Sequence, residues 1–114
     1  MIKNIASVEH YRWGQVGDGW RLLERADLSV IQKRIPPGAG AVLHYHFRAR
    51  QLFFVLTGEL QIQLGEQLFL LSPGDALEVP PGGRHQVRNI GLVDATFLVV
   101  SAPTTQGDRV NVEA

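Results

Sequence analysis

The chain has no cysteine in its 114 residues. Disulfide bonds, thiolate ligation of a metal and a cysteine nucleophile are excluded together. Net charge is missing as well, since 11 basic residues are matched by 11 acidic ones. Bulk electrostatics therefore gives no footing for a nucleic-acid partner or for an anionic membrane surface. No apolar run nears bilayer-spanning length. Met1 to His10 lacks the charged flank and apolar stretch of a secretion signal, and the cytoplasm is the expected compartment. Helical periodicity is also lacking, which leaves the strand as the regular element to look for.

What the chain does have is alternation of period two, broken by glycine and proline. The hydrophobic content of 45% fits one globular domain with a core of its own. Leu28 to Ile35 reads as a strand ended by Pro36-Pro37-Gly38. Ala41 to Phe47, Gln51 to Leu56, Glu59 to Leu64, Gln67 to Leu71 and Ala76 to Val79 read likewise, followed by His85 to Ile90 and Ala95 to Ser101. Gly65-Glu66 suits a two-residue type II′ hairpin. Many short strands between Gly/Pro turns imply an all-β sandwich or barrel. Ser7 to Trp13 reads as a strand or a helical turn. Tyr11, Trp13 and Trp20 give residues 1–27 the apolar area of an arm that packs on the barrel or on a partner. The barrel is expected over residues 28–102 and a polar tail over 103–114.

His44 and His46 stand two apart in an apolar run, so both imidazoles project to one face. Buried imidazoles without partners are costly, and a divalent metal satisfies them. Around them lies G-x5-H-x-H-x4-Q-x6-G, from Gly38 through His44, His46 and Gln51 to Gly58. A second cluster, G-x5-P-x-G-x2-H-x3-N, runs from Gly74 through Pro80, Gly82 and His85 to Asn89. Together the two stretches resemble the paired motifs of the cupin superfamily. The resemblance implies a double-stranded β-helix, a conical jelly-roll barrel of two antiparallel sheets. It also implies a metal held by His44, His46 and His85, with residue 51 as fourth ligand.

The superfamily's pattern carries glutamate where this chain has Gln51. A neutral amide is a weaker donor, and it leaves a divalent site at +2 where a carboxylate would leave +1. Metal affinity should fall, a bound water should become more acidic, and an anionic substrate should be favoured as compensation. Iron, zinc, nickel or copper is expected, with hard manganese disfavoured for want of a carboxylate. Gln51 is either the fourth ligand or a neighbouring group that orients an imidazole or a water.

Phe53 and Val55 share Gln51's parity and should line the barrel with it, as should Val42 and Val87. Such a lining suits a small, partly apolar substrate. Every acidic side chain falls outside it unless Glu78 or Glu9 turns inward, which points to chemistry run by the metal. The first reading is a metal-dependent enzyme acting on a small oxygenated substrate, by dioxygen activation or isomerisation. The alternative is a non-catalytic module that binds or senses a small molecule. A metal-free epimerase is disfavoured, because no aspartate falls where its histidine–aspartate pair would need one. Asn89 is expected to be structural, Tyr45 to face away from the histidines, His10 to lie at the surface, and Arg48 and Arg50 to lie in a solvated loop. Leu52, Phe54 and Leu56 form an apolar outer face that calls for a homodimer partner.

Overall fold

A computed structural model describes residues 2–14 and 16–112; Met1, Gln15, Glu113 and Ala114 lie outside the described residues. The described residues form eleven strands and no helix. The first five are β1 His10–Trp13, β2 Gly17–Glu24, β3 Ser29–Ile35, β4 His44–His46 and β5 Arg50–Thr57. Next come β6 Leu60–Leu64, β7 Gln67–Leu71 and β8 Ala76–Val79. The last are β9 His85–Arg88, β10 Ala95–Ala102 and β11 Arg109–Asn111. They make two antiparallel sheets, in the orders β1-β2-β3-β10-β5-β8 and β11-β4-β9-β6-β7. The interleaved order, with β10 between β3 and β5, is that of the double-stranded β-helix.

Alternation decides which side chains face inward. On β5, Gln51, Phe53 and Val55 are buried while Leu52 is exposed. On β10, Ala95, Phe97, Val99 and Ser101 are buried in turn. Ile35, Leu60, Ile62, Val87 and Phe97 form the core between the sheets. The β6–β7 hairpin turns on Gly65 at φ 60°, while Glu66 keeps a negative φ, as type II′ requires.

Three expectations change. The segment expected as an arm is part of the barrel, because β2 pairs with β3 along most of its length. Its glycines explain the pairing. A Cβ on Gly17 would lie 2.7 Å from the Trp13 ring, and one on Gly19 would lie 2.5 Å from the Tyr11 ring. Each ring thus lies over its cross-strand glycine partner, which leaves room for two bulky aromatics on a narrow sheet. The polar tail likewise contributes β11, paired with β4 through Arg109↔His46. Val42 turns outward and is 54% exposed, because the regular strand begins only at His44.

Candidate metal centre and its cavity

Neighbouring strands of the five-stranded sheet present the histidines. His44 on β4 is the register partner of His85 on β9, and their rings lie 4.3 Å apart. His46, two residues along β4, lies 5.1 Å from His44 and 6.0 Å from His85, ring to ring. One ring nitrogen from each of the three falls within 4.8 Å of the others. All three side chains are buried.

Hydrogen bonds orient two of the rings. His44 Nδ1 donates to the Val42 carbonyl at 2.9 Å, and His85 Nδ1 donates to the Gly83 carbonyl at 2.9 Å. A proton held on Nδ1 leaves Nε2 with a free lone pair, as metal-ligating histidines require. His85 Nε2 is buried without any partner, and so is His46 Nδ1. Burial holds the rings neutral: it pushes His44 down to about 3 and His46 to about 4, and lowers His85 as well. Lone pairs are therefore available throughout the neutral range.

Gln51 reaches the same cavity from the facing sheet. Its Nε2 donates to Ser101 Oγ at 3.2 Å, and its Oε1 is buried with no partner. The orphaned atoms on His46, His85 and Gln51 are what a metal would satisfy. The donor set of three imidazoles and one amide oxygen fits a borderline divalent ion.

The cavity holds about 190 Å³. Phe53 gives it an apolar wall, as Gln51's strand parity predicts, and Val87 lines it as expected; Val55 lies in the core instead, and Phe97 and Val99 of β10 add further apolar wall. Sequence reasoning missed its polar members. Lys33 lines it from β3, Arg109 from β11, and Tyr11 and Arg21 from the first two strands. Lys33 shares the inward parity of Ile31 and Ile35, a signal present in the sequence. Burial depresses Lys33 to about 8, and the charges of Arg109 and Arg21 add to this. Burial raises Tyr11. Arg109 gives no signal, because its strand is three residues long and polar.

The remaining candidates lie elsewhere. Asn89 Nδ2 donates to the Ile35 and Val93 carbonyls and its Oδ1 accepts from Gly91 N, a structural role. Tyr45 lies outside the cavity, beside the Arg84 guanidinium. Arg50 pairs with exposed Glu78 at 2.5 Å. Arg48 is exposed and lies 3.6 Å from Asp108. His10 meets buried Asp18 at 2.7 Å, in an ionic cluster with Arg12 and Arg34.

The family model of the cupin domain matches residues 32–101, well over half of the chain. The chain belongs to the cupin domain family. An uncharacterized protein of Methanocaldococcus jannaschii is 29% identical over 75 residues, which are 66% of this chain and 60% of that protein. An oxalate-binding protein of Thermotoga maritima is 28% identical over 67 residues, 59% of this cupin and 55% of the relative. The match thus takes in less than two thirds of either curated relative. Among solved structures, a sugar phosphate isomerase of the cupin superfamily from Silicibacter pomeroyi superimposes with a TM-score of 0.76 at 28% identity. That superposition covers 89% of this cupin and 74% of the isomerase chain.

Proposed function

We propose that this cupin is a metal-dependent enzyme that acts on a small oxygenated molecule in the 190 Å³ cavity. The observation that carries the reading is the set of orphaned buried atoms, His46 Nδ1, His85 Nε2 and Gln51 Oε1: His85 clusters with His44 and His46, and those two line one cavity with Gln51. His44, His46, His85 and Gln51 would hold the ion, which is iron, zinc, nickel or copper on this donor set. Such an ion supplies Lewis-acid polarisation of a ligand oxygen. Phe53, Phe97 and Val99 offer apolar contacts to the rest of that ligand. Lys33, with its ammonium depressed to about 8, can take or give a proton near neutral pH. Isomerisation needs such a transfer and no external oxidant, and the Silicibacter pomeroyi neighbour is described as an isomerase. Isomerisation is accordingly preferred to dioxygen chemistry.

A second reading, a module that holds its ligand without turnover, is supported by the relative described as oxalate-binding. It is supported too by the lack of a carboxylate base in the described lining. The deciding experiment reconstitutes the protein with each of the four metals and measures metal content. Each form is then incubated with small aldoses, ketoses and hydroxy acids, and isomer exchange and dioxygen uptake are followed. Absence of bound metal after all four reconstitutions would end the metal reading, and metal without turnover would favour the binding module.

We infer further that two copies associate through the outer face of β5. Leu52 and Leu56 are exposed there at 40% and 36%, and Leu52 shares an apolar groove with Val100 and Ala102.

A further inference from the structure

Lys33 and Arg109 share the cavity with His44 and His46, and among the described residues neither has an anionic partner. Lys33 projects from β3, in register with Phe97 on one side and Gly19 on the other. Its ammonium lies 4.5 Å from the centroid of the Trp13 ring. Arg109, opposite His46 on β11, donates its Nε–H to Asn111 Oδ1 at 2.9 Å. Its two terminal nitrogens make no hydrogen bond to a described residue. Arg21, the third cation of the lining, is answered by Glu9 at 3.3 Å and Glu24 at 3.4 Å.

Lys33 is partly buried, and charge without a partner there is costly, whereas Arg109 lines the cavity as an exposed side chain. The imidazoles and the Gln51 amide are neutral and offer no compensation. A divalent ion beside them would add positive charge. The described lining contains no carboxylate, so an anionic ligand would supply the counter-charge that Lys33 lacks. The donors also have a particular form. Arg109 offers an open planar fork and Lys33 a point charge with three rotatable donors. Such a fork and such a point charge each pair with carboxylate oxygens. An arginine fork suits phosphate as well, and inorganic phosphate is therefore the competing ligand.

We infer that the cavity receives a small carboxylic acid, its carboxylate held by Lys33 and Arg109 and its remaining oxygens turned toward the histidine cluster. Only the second contact rests on the metal reading; the first stands on the two cations. Lys33 and Arg109 are thus specificity-determining residues, selecting acids over neutral sugars and amides.

The test is calorimetric titration of the full chain with malonate, pyruvate, malonamide and inorganic phosphate, on zinc-loaded and on metal-free protein. Malonate or pyruvate should bind, and malonamide should not. Lys33→Met and Arg109→Met should each weaken carboxylate binding at least about tenfold, the scale of one lost charge-assisted contact. Lys33→Arg should retain most of it. Circular dichroism melts and zinc content should match the wild type, which separates ligand binding from folding. Weakened binding by the variants in a protein that never takes up metal would keep this inference and remove the metal reading. Metal uptake with carboxylate binding indifferent to both variants would do the reverse. Equal affinity for malonamide, tighter binding of phosphate than of either acid, or no binding of either acid would overturn the inference.

Discussion

Gln51 and Ser101 are cross-strand partners on β5 and β10, and the Gln51 amide donates to the Ser101 hydroxyl at 3.2 Å. Both residues are buried, so the bond has no competition from bulk water. It turns Nε2 toward the sheet and leaves Oε1 as the free end. Under the proposed function, Ser101 would thereby position the amide that meets the ion. Ser101→Ala should release the amide and weaken zinc binding about tenfold, the usual scale for losing a group that orients a ligand. Competition against a chelating dye measures it. Unchanged affinity would show that the amide orientation does not matter to the ion.

Gln51→Glu replaces the amide with a carboxylate of nearly the same shape. The carboxylate cannot donate, so the Ser101 hydroxyl turns to donate instead. One negative charge is added where the surroundings screen it poorly. Metal should bind more tightly than in the wild type, while Gln51→Leu should bind it more weakly. A bound water should become less acidic, and turnover tuned to the more positive site should fall as metal content rises. Equal dye-competition constants for wild type and Gln51→Glu would mean that residue 51 does not meet the metal.

His44→Ala and His85→Ala should each cut metal affinity by at least about tenfold. Each removes a ring whose Nδ1 is already committed to a backbone carbonyl and whose Nε2 is left for the ion. Elemental analysis after reconstitution reads the loss directly. His10→Ala is the control, because His10 belongs to the Asp18 cluster and lies outside the cavity. Full metal content in either cavity variant would refute the assignment.

Much of this site could be read from strand parity. His44 and His46, and then Gln51, Phe53 and Val55, alternate with outward residues, and the structure places them inward as that parity requires. Lys33 follows the same rule between Ile31 and Ile35. A lysine in a strand is ordinarily taken for a surface residue, and nothing local marks the Trp13 ring that receives it. Trp13 itself depends on β2, which lies within the segment expected as an arm. The pairing of β2 with β3 and the cross-strand rings over Gly17 and Gly19 are contacts that no local pattern announces. Arg109 was illegible for a different reason. Its place is set by Asp108 fastening the chain to the Phe47–Ala49 segment, a contact 59 residues away in sequence.

The outer face of β5 yields a prediction on assembly. Leu52→Lys should shift a dimer toward monomer without lowering metal content, since Leu52 points away from Gln51 and the cavity. Light scattering at micromolar concentration measures the mass. A monomer mass for the wild-type protein would refute the association.

Asp108 predicts how stability depends on pH. Its carboxylate accepts the Arg48 N–H at 3.0 Å and the Ala49 N–H at 2.9 Å, and its side chain is almost wholly buried. Burial alone would push the carboxyl up. The two backbone donors and the Arg48 guanidinium outweigh it and hold the carboxyl below its usual range. The sign follows from linkage: the unfolded chain takes up the proton first, so stability falls as pH drops. This contribution is fully present above the unfolded carboxylate range, about pH 4, and is lost as pH falls through the folded value. Asp108→Asn keeps one acceptor oxygen but sets an NH₂ group against an N–H donor. It should cost about 1–3 kcal/mol at pH 7, the penalty for a buried donor left unmade. Asp18, also held low in the folded state, gives the variant an acid dependence of the same sign. The quantity to follow is therefore the difference between the two proteins in thermal or urea unfolding from pH 7 to pH 3. That difference should shrink on acidification, because the wild type loses an anion that the variant never had. A difference that stays constant or grows would show that Asp108 is not an ionised clamp. The same variant should also weaken carboxylate binding, since loosening Asp108 frees Arg109 on the neighbouring residue.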